Sequence, residues 1–139
     1  MAENALLDGH GRRIEYMRIS LTDRCNYRCV YCMPPEGEPF IPHNEILSYE
    51  EFLRLCRITA ARGIVKYKIT GGEPLCRKGA VDFIRDLKAV PGVEQITITT
   101  NGSLLGPHVP ALAGLGINGV TVSLDSLSAS RFADISRSR

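Results

Sequence analysis

Three cysteines lie close together in the segment 25–32, CNYRCVYC, where Cys25, Cys29 and Cys32 have the spacing C-x3-C-x2-C. This spacing lets three thiolates reach one metal centre without help from distant parts of the chain. A structural zinc site takes four protein ligands, and a cubane iron–sulfur cluster takes four thiolates. Three ligands therefore leave one coordination position open. The motif predicts an iron–sulfur cluster with one iron free to bind a small-molecule cofactor.

Other interpretations of these cysteines stay open at this point. A disulfide with a spare thiol is disfavoured by the short spacings and by the odd total of five cysteines. A zinc knuckle completed by His43 is an alternative. The spacing also differs from that of bacterial ferredoxins, so simple electron storage fits poorly. The remaining cysteines, Cys56 and Cys76, are predicted to be packing thiols.

The composition excludes several classes of protein. The chain has 139 residues, 44% of them hydrophobic and 23% charged, which is ordinary for one globular domain. A net charge of +2 favours neither nucleic acid nor a membrane surface as a partner. We see no apolar run long enough to cross a bilayer and no signal-peptide pattern. We therefore predict a cytoplasmic protein whose thiols stay reduced.

Strand and helix patterns alternate along the sequence after a polar arm over residues 1–13. Alternating strands and helices imply a parallel sheet with right-handed crossovers, so the predicted fold class is α/β, with a core over 14–139. Ser48 and Glu51 form a capping box that starts the first helix, and Gly63 suits its end. The predicted strands span 16–21, 64–70, 95–100 and 117–124, the next two helices span 80–90 and 108–115, and Ser128 is predicted to cap a last helix.

The unusual residues follow the ends of the predicted strands. The cysteine segment follows the first strand, and Gly71-Gly72-Glu73-Pro74 follows the second. Thr99-Thr100-Asn101-Gly102 ends the third strand, and Ser123-Leu124-Asp125-Ser126 ends the fourth. In a parallel sheet these positions lie along one edge, where α/β proteins bind ligands. The sequence therefore predicts one site assembled from four strand ends.

Two glycines and a carboxylate follow the second strand. Gly71 and Gly72 allow positive φ and a close approach of the backbone to a ligand, because no Cβ intervenes. Glu73 is suited to hold an ammonium group. An ordinary turn between a strand and a loop remains the alternative for this segment.

The other strand ends carry side chains suited to a nucleotide. Thr99, Asn101 and Ser123 could hydrogen-bond a ribose or a purine edge, although each is also an ordinary polar residue at the end of a strand. Arg18 could bind a phosphate through two parallel hydrogen bonds, or it could be a solvated surface arginine. Tyr31 could pack against a flat ring.

These motifs together resemble a known family. The three-cysteine motif with an aromatic residue before its last cysteine resembles the radical S-adenosylmethionine superfamily, and Thr70 to Pro74 resembles that superfamily's glycine motif. The longer runs 16–26 (YMRISLTDRCN), 69–75 (ITGGEPL) and 122–127 (VSLDSL) resemble the GTP 3',8-cyclase family of molybdenum cofactor biosynthesis. The resemblance implies that the fold is the first part of a partial TIM-type barrel.

The resemblance also implies cofactors and residue roles. A [4Fe–4S] cluster binds S-adenosylmethionine, whose reductive cleavage gives a radical that takes hydrogen from the ribose of GTP. Lys68 stands where the family usually has arginine, which keeps the charge but loses the planar fork. The implied ligands are Cys25, Cys29 and Cys32 for the cluster; Tyr31, Gly71, Gly72, Glu73 and Ser123 for S-adenosylmethionine; and Arg18, Lys68 and Thr99 for GTP.

The length differs from that of the family. Family members continue into two further strands and a second three-cysteine cluster that holds GTP, so we expect this chain to be an N-terminal fragment that does not complete the cyclisation alone. A homodimer and an unidentified electron donor are the expected protein partners. The alternatives are a radical enzyme acting on a peptide or another cofactor precursor, and a non-catalytic iron–sulfur-binding remnant.

Overall fold

A four-stranded parallel sheet, with its strands in the order β1-β2-β3-β4, forms the centre of the computed structural model, which describes residues 5–138. In this part of the chain no helix has the length and hydrophobicity needed to cross a membrane. The strands are β1 (Tyr16–Ser20), β2 (Lys66–Thr70), β3 (Gln95–Thr100) and β4 (Gly119–Val122), and the helices are α1 (Tyr49–Ala60), α2 (Ala80–Lys88), α3 (Val109–Gly114) and α4 (Ala129–Ser136).

The two faces of the sheet differ in chemistry. Ile19 and Ile69 are paired in register and lie in the core with at most 5% exposure, as does Ile98 on β3. Arg18 and Lys68, paired one position earlier, lie on the other face, where Arg18 is exposed and Lys68 half-buried. Strands that follow in chain order with right-handed crossovers place their helices on one face. This arrangement confirms the predicted α/β fold and suits part of a TIM-type barrel, in which the uncovered face becomes the interior.

Helix α1 confirms the predicted capping box. Ser48 Oγ accepts the Glu51 backbone N–H at 3.2 Å, and Glu51 Oε2 accepts the Ser48 backbone N–H at 2.7 Å. The Tyr67 hydroxyl, carried by β2, donates to the Cys56 carbonyl at 3.1 Å and so joins α1 to the sheet. Cys56 is 1% exposed, which confirms it as a core thiol, and burial raises its pKa to about 11.

Strand β4 is shorter than the predicted 117–124. Asn118 explains its start, because the Asn118 backbone N–H donates to the Ile96 carbonyl while its side-chain Oδ1 accepts the Ile96 backbone N–H at 2.8 Å. An asparagine side chain thus replaces one rung of the ladder. Ser128 is the N-cap residue of α4, as predicted, but its Oγ bonds Ser130 Oγ at 3.1 Å and makes no capping bond to the helix backbone.

The arm before β1 has more structure than its polar sequence predicts. Residues 1–4 lie outside the described part, but Leu7 and Arg13 form an antiparallel bridge. Asp8 closes the turn between them by accepting the Arg12 Nε–H at 2.7 Å. The Leu6 backbone N–H donates to the Arg62 carbonyl at 3.2 Å, so the arm is attached near the end of α1.

The glycine turn after β2 packs directly against the start of the cysteine loop, residues 21–33. The Gly72 N–H donates to the Thr22 carbonyl at 2.7 Å, and the Glu73 N–H donates to the Arg24 carbonyl at 2.8 Å. A Cβ on Gly72 would lie 2.5 Å from the Arg24 carbonyl oxygen, and one on Gly71 would lie 2.8 Å from the Thr22 carbonyl oxygen. Both glycines are therefore required by close approach of two backbone segments. The predicted positive φ is wrong for both, and the close neighbour is the chain itself.

This packing predicts the effect of one added methyl group. Gly72→Ala should lower the free energy of unfolding by about 1–3 kcal/mol, because the new Cβ meets backbone rather than a flexible side chain. Gly114→Ala is the matched control, since no atom lies within 4 Å of a Cβ at that position. Urea denaturation of both variants measures the difference. Equal stability of the two variants would contradict the close approach.

Candidate functional site

The cysteine loop is anchored at its start and in its middle. At its start, the Leu21 N–H extends the β1–β2 ladder to the Thr70 carbonyl at 2.9 Å, and Leu21 is fully buried. In its middle, the Arg28 and Val30 N–H groups donate to the last carbonyls of α4 at 3.0 and 2.9 Å. These contacts place the loop over the carboxyl end of β1, where the sequence predicts it.

The three thiols have a donor set that fits an iron–sulfur cluster. Cys25 and Cys29 are half-buried and Cys32 is exposed. The Tyr27 backbone N–H lies 3.4 Å from Cys25 Sγ, and Asn101 Nδ2 lies 3.8 Å from the same sulfur. N–H groups directed at a sulfur stabilise its anionic, metal-binding form. Three thiols on one short loop, one of them already facing N–H donors, therefore suit cluster ligation.

Within residues 5–138, no three or more His, Cys, Asp and Glu side chains are arranged around a single metal ion. A cubane cluster does not require such an arrangement, because each thiolate binds a different iron. Burial raises the pKa of Cys29, with smaller contributions from the Asp125, Cys25 and Cys32 charges, while a hydrogen bond from Tyr31 opposes the shift. Metal binding at this loop would therefore release protons.

Tyr31 joins the cysteine loop to the end of β4. Its hydroxyl lies 3.0 and 3.2 Å from the two carboxylate oxygens of Asp125. The pKa of Tyr31 is raised, mainly by desolvation and next by this hydrogen bond. The hydroxyl therefore remains a donor. Tyr31 as a whole is 66% exposed, so it is available to a planar ligand. Asp125 was not predicted as a site residue, although its place in the segment 123–126 that follows a parallel strand was a signal for it.

Glu73 joins the ends of β2 and β3. It is completely buried, and its Oε1 accepts the Leu75 N–H at 3.0 Å and the Thr100 hydroxyl at 2.8 Å. Its Oε2 accepts the Asn101 N–H at 2.7 Å. Both oxygens are thus engaged by the chain, so this carboxylate organises the edge from within.

The polar face of the sheet places Arg18 beside Lys68. Arg18 Nε donates to Thr70 Oγ1 at 3.3 Å. The salt bridges among residues 5–138 are Asp8–Arg12, Glu15–Lys66 and Asp82–Arg85, so neither Arg18 nor Lys68 has a carboxylate partner there. Like charges opposite each other on adjacent strands repel. A bound anion would relieve this repulsion.

Thr99 and Ser123 lie at the same edge. Thr99 Oγ1 is buried and has no hydrogen-bond partner in the described part of the chain. An unpaired buried hydroxyl costs about 1–3 kcal/mol, which a ligand would offset. Ser123 is exposed directly after β4, and its N–H donates to the Thr100 carbonyl at 2.9 Å. The structure therefore brings the four predicted strand ends together.

Cys76 was predicted to be a packing thiol, and this prediction is wrong. It is exposed, and its Sγ lies 3.8 Å from Asn26 Oδ1 beside the cysteine loop. The short 3-10 helix Pro74–Cys76 carries it outwards after the glycine turn. The exposure of Cys76 could not be predicted from sequence periodicity, because a helix of three residues is too short to have a recognisable hydrophobic face.

Curated proteins of high similarity cover almost all of this chain. A protein of Geobacter sulfurreducens named GTP 3',8-cyclase is 50% identical over 132 residues, which are 95% of this chain and 40% of that protein. Proteins of the same name from Petrotoga mobilis and Thermodesulfovibrio yellowstonii are 48% and 51% identical over 132 and 131 residues; these are 95% and 94% of this chain and 41% of each relative. The chain thus spans about two fifths of the length of these relatives.

Solved structures show the same fold. The crystal structure of BtrN in complex with AdoMet and 2-DOIA superposes with a TM-score of 0.61 at 19% identity, over 89% of this chain and 51% of BtrN. An open conformation of BtrN gives a TM-score of 0.60 at 21% identity, over 86% of this chain and 54% of that one. The family model described as the Radical SAM superfamily matches residues 19–139 of this chain. With the predicted cysteine and glycine motifs on one edge of the expected sheet, the chain belongs to the radical SAM superfamily.

Proposed function

We propose that this chain is the part of a GTP 3',8-cyclase that holds the [4Fe–4S] cluster, S-adenosylmethionine and one side of GTP, for the first step of molybdenum cofactor biosynthesis. The observation that carries the proposal is a pair of cations, Arg18 and Lys68, that lie on the polar face of the sheet and form no salt bridge within residues 5–138. The names of the relatives at 48–51% identity support the same activity. An uncharged substrate would leave these two cations without a counter-ion.

In this proposal, Cys25, Cys29 and Cys32 hold the cluster. When bound, the cluster and S-adenosylmethionine supply one-electron reduction and radical hydrogen abstraction. The protein's task is to place the substrate and to exclude water from the reacting groups. The half-buried positions of Cys25 and Cys29 serve the second requirement.

S-adenosylmethionine would lie between the glycine turn and the end of β4. The exposed Tyr31 ring is suited to its adenine, and Ser123 to its ribose. The backbone carbonyl oxygens of Gly71 and Gly72 can accept hydrogen bonds, and neither residue has a side chain that would block a ligand. Since both Glu73 oxygens are already engaged, we propose that this backbone, rather than the Glu73 carboxylate, receives the ammonium group.

GTP would lie on the polar face of the sheet. Arg18 and Lys68 would bind its phosphates, since charge-assisted hydrogen bonds to phosphate are among the strong ones. The unpaired Thr99 hydroxyl would hydrogen-bond the nucleoside. Arg18 is already oriented by its bond to Thr70 Oγ1, which leaves its terminal nitrogens for a ligand.

Cluster assembly can be tested on single cysteines. After anaerobic reconstitution with iron and sulfide, Cys29→Ser should lose the [4Fe–4S] signal in electron paramagnetic resonance of the reduced protein. Cys76→Ser is the matched control and should keep the signal, because Cys76 lies on the glycine-turn side and outside the motif. Adding S-adenosylmethionine to the unsubstituted chain should change the signal, as expected for a cluster with an open iron.

Two outcomes would contradict this part of the proposal. Zinc in place of iron would restore the zinc alternative. A cluster whose signal does not respond to S-adenosylmethionine would favour a non-catalytic iron–sulfur protein.

Nucleotide binding can be tested on the two cations. Arg18→Ala should weaken GTP binding about 10–150-fold, the effect of losing a charged hydrogen bond of about 1.5–3 kcal/mol. Lys68→Arg should strengthen binding, because the guanidinium binds phosphate through two parallel bonds. Arg54→Ala is the control, since Arg54 is exposed on α1, on the opposite side of the sheet.

Isothermal titration calorimetry of the reconstituted protein with GTP measures these affinities. Equal weakening by Arg18→Ala and Arg54→Ala would show that the effect is one of overall charge. Unchanged affinity for GTP in Arg18→Ala would rule out the proposal that GTP binds on this face of the sheet.

A further inference from the structure

Asn101 belongs to a closed ring of side-chain hydrogen bonds beside the first cysteine. Asn101 Nδ2 donates to Asn26 Oδ1 at 2.8 Å, and Asn26 Nδ2 donates to Ser103 Oγ at 2.8 Å. The Ser103 hydroxyl completes the ring by donating to Asn101 Oδ1 at 2.6 Å. Asn26 lies next to Cys25 in sequence, so the ring ties the end of β3 to the cysteine loop.

The ring determines which way the Asn101 amide faces. Asn101 Oδ1 also accepts the Ser103 backbone N–H at 2.9 Å, and a backbone N–H can only donate. The oxygen must therefore face Ser103, and the amino group must face the loop. An amide amino group has two hydrogens. One is used by Asn26, and the second is directed towards Cys25 Sγ at 3.8 Å.

The backbone of Asn101 is held as firmly as its side chain. The Asn101 N–H donates to Glu73 Oε2 at 2.7 Å, and Glu73 is completely buried. Asn101 itself directly follows β3. The donor to Cys25 is thus preorganised by contacts from the turn after β2, from the turn after β3 and from the cysteine loop.

We propose that Asn101 is a positioning residue that donates a hydrogen bond to the Cys25 sulfur and raises the reduction potential of a cluster held there. Reduction adds negative charge to the cluster, so an N–H group at a ligand sulfur stabilises the reduced form more than the oxidised form. The inference rests on the proposed function in one respect, the assignment of Cys25 as a ligand.

This inference replaces the predicted contact of Asn101 with a ribose or a purine edge. Both hydrogens and the oxygen of the amide are engaged within the chain. A nucleotide contact would require the ring to open. The side chain is therefore better suited to act on the cluster than on a nucleoside.

The test compares midpoint potentials in the chain reconstituted anaerobically with iron and sulfide. Asn101→Ala removes the donor, and Asn101→Asp removes it while keeping an acceptor for the Ser103 N–H, so the turn stays closed. Ser103→Ala is the control, because its backbone N–H still holds Asn101 Oδ1. Potentiometric titration monitored by electron paramagnetic resonance gives each potential, and circular dichroism checks the fold.

The expected order is a lower potential in Asn101→Ala than in the unsubstituted chain, a still lower one in Asn101→Asp, and little change in Ser103→Ala. A folded Asn101→Ala chain that retains no cluster, beside a Ser103→Ala chain that does, also supports the contact. Unchanged potentials in both Asn101 variants would overturn the inference while leaving the cluster assignment intact. Failure of the unsubstituted chain to bind a cluster would instead overturn the proposed function.

Discussion

The site depends on the hydrogen bonds that the buried Glu73 carboxylate accepts. It has no exposure, and it accepts hydrogen bonds from Leu75, Thr100 and Asn101. A buried acid without partners would destabilise the fold, but one with three donors at about 1.5–3 kcal/mol each for a charged acceptor fixes the groups around it. On one side it holds the glycine turn beneath the cysteine loop, and on the other it holds Asn101 beside Cys25. The ends of β2 and β3 are thus joined by one side chain.

The two faces of the sheet contribute differently to the stability of the fold. Its helix-covered face carries the isoleucines of β1, β2 and β3, and this burial stabilises the fold through the hydrophobic effect. Its polar face carries Arg18 beside Lys68, and neither forms a salt bridge with a carboxylate among residues 5–138, so the pair contributes repulsion rather than stability. Such local inconsistencies are typical of binding sites. The unpaired hydroxyl of Thr99, on the same face, is a second one.

The cysteine loop, which we propose binds the cluster, is held in place by backbone packing. Its thiols come from one short segment, but that segment has no regular structure of its own. The glycine turn supports it from below, α4 binds its backbone through Arg28 and Val30, and Tyr31 contacts the end of β4. These contacts come from two βα units, β2 with its glycine turn and β4 with α4. The loop therefore depends on both of these units for its conformation.

The sequence alone determined the order of strands and helices, the capping box of α1 and the gathering of four motifs at one edge, because periodicity, capping and parallel pairing are local or topological rules. It did not determine the end of β4, the exposure of Cys76 or the role of Asn101. Those depend on which side chain reaches which partner across the fold. An asparagine that completes a ladder and one that faces a sulfur look alike in sequence. Only the tertiary structure, which brings residues 26, 101 and 103 into one ring, distinguishes them.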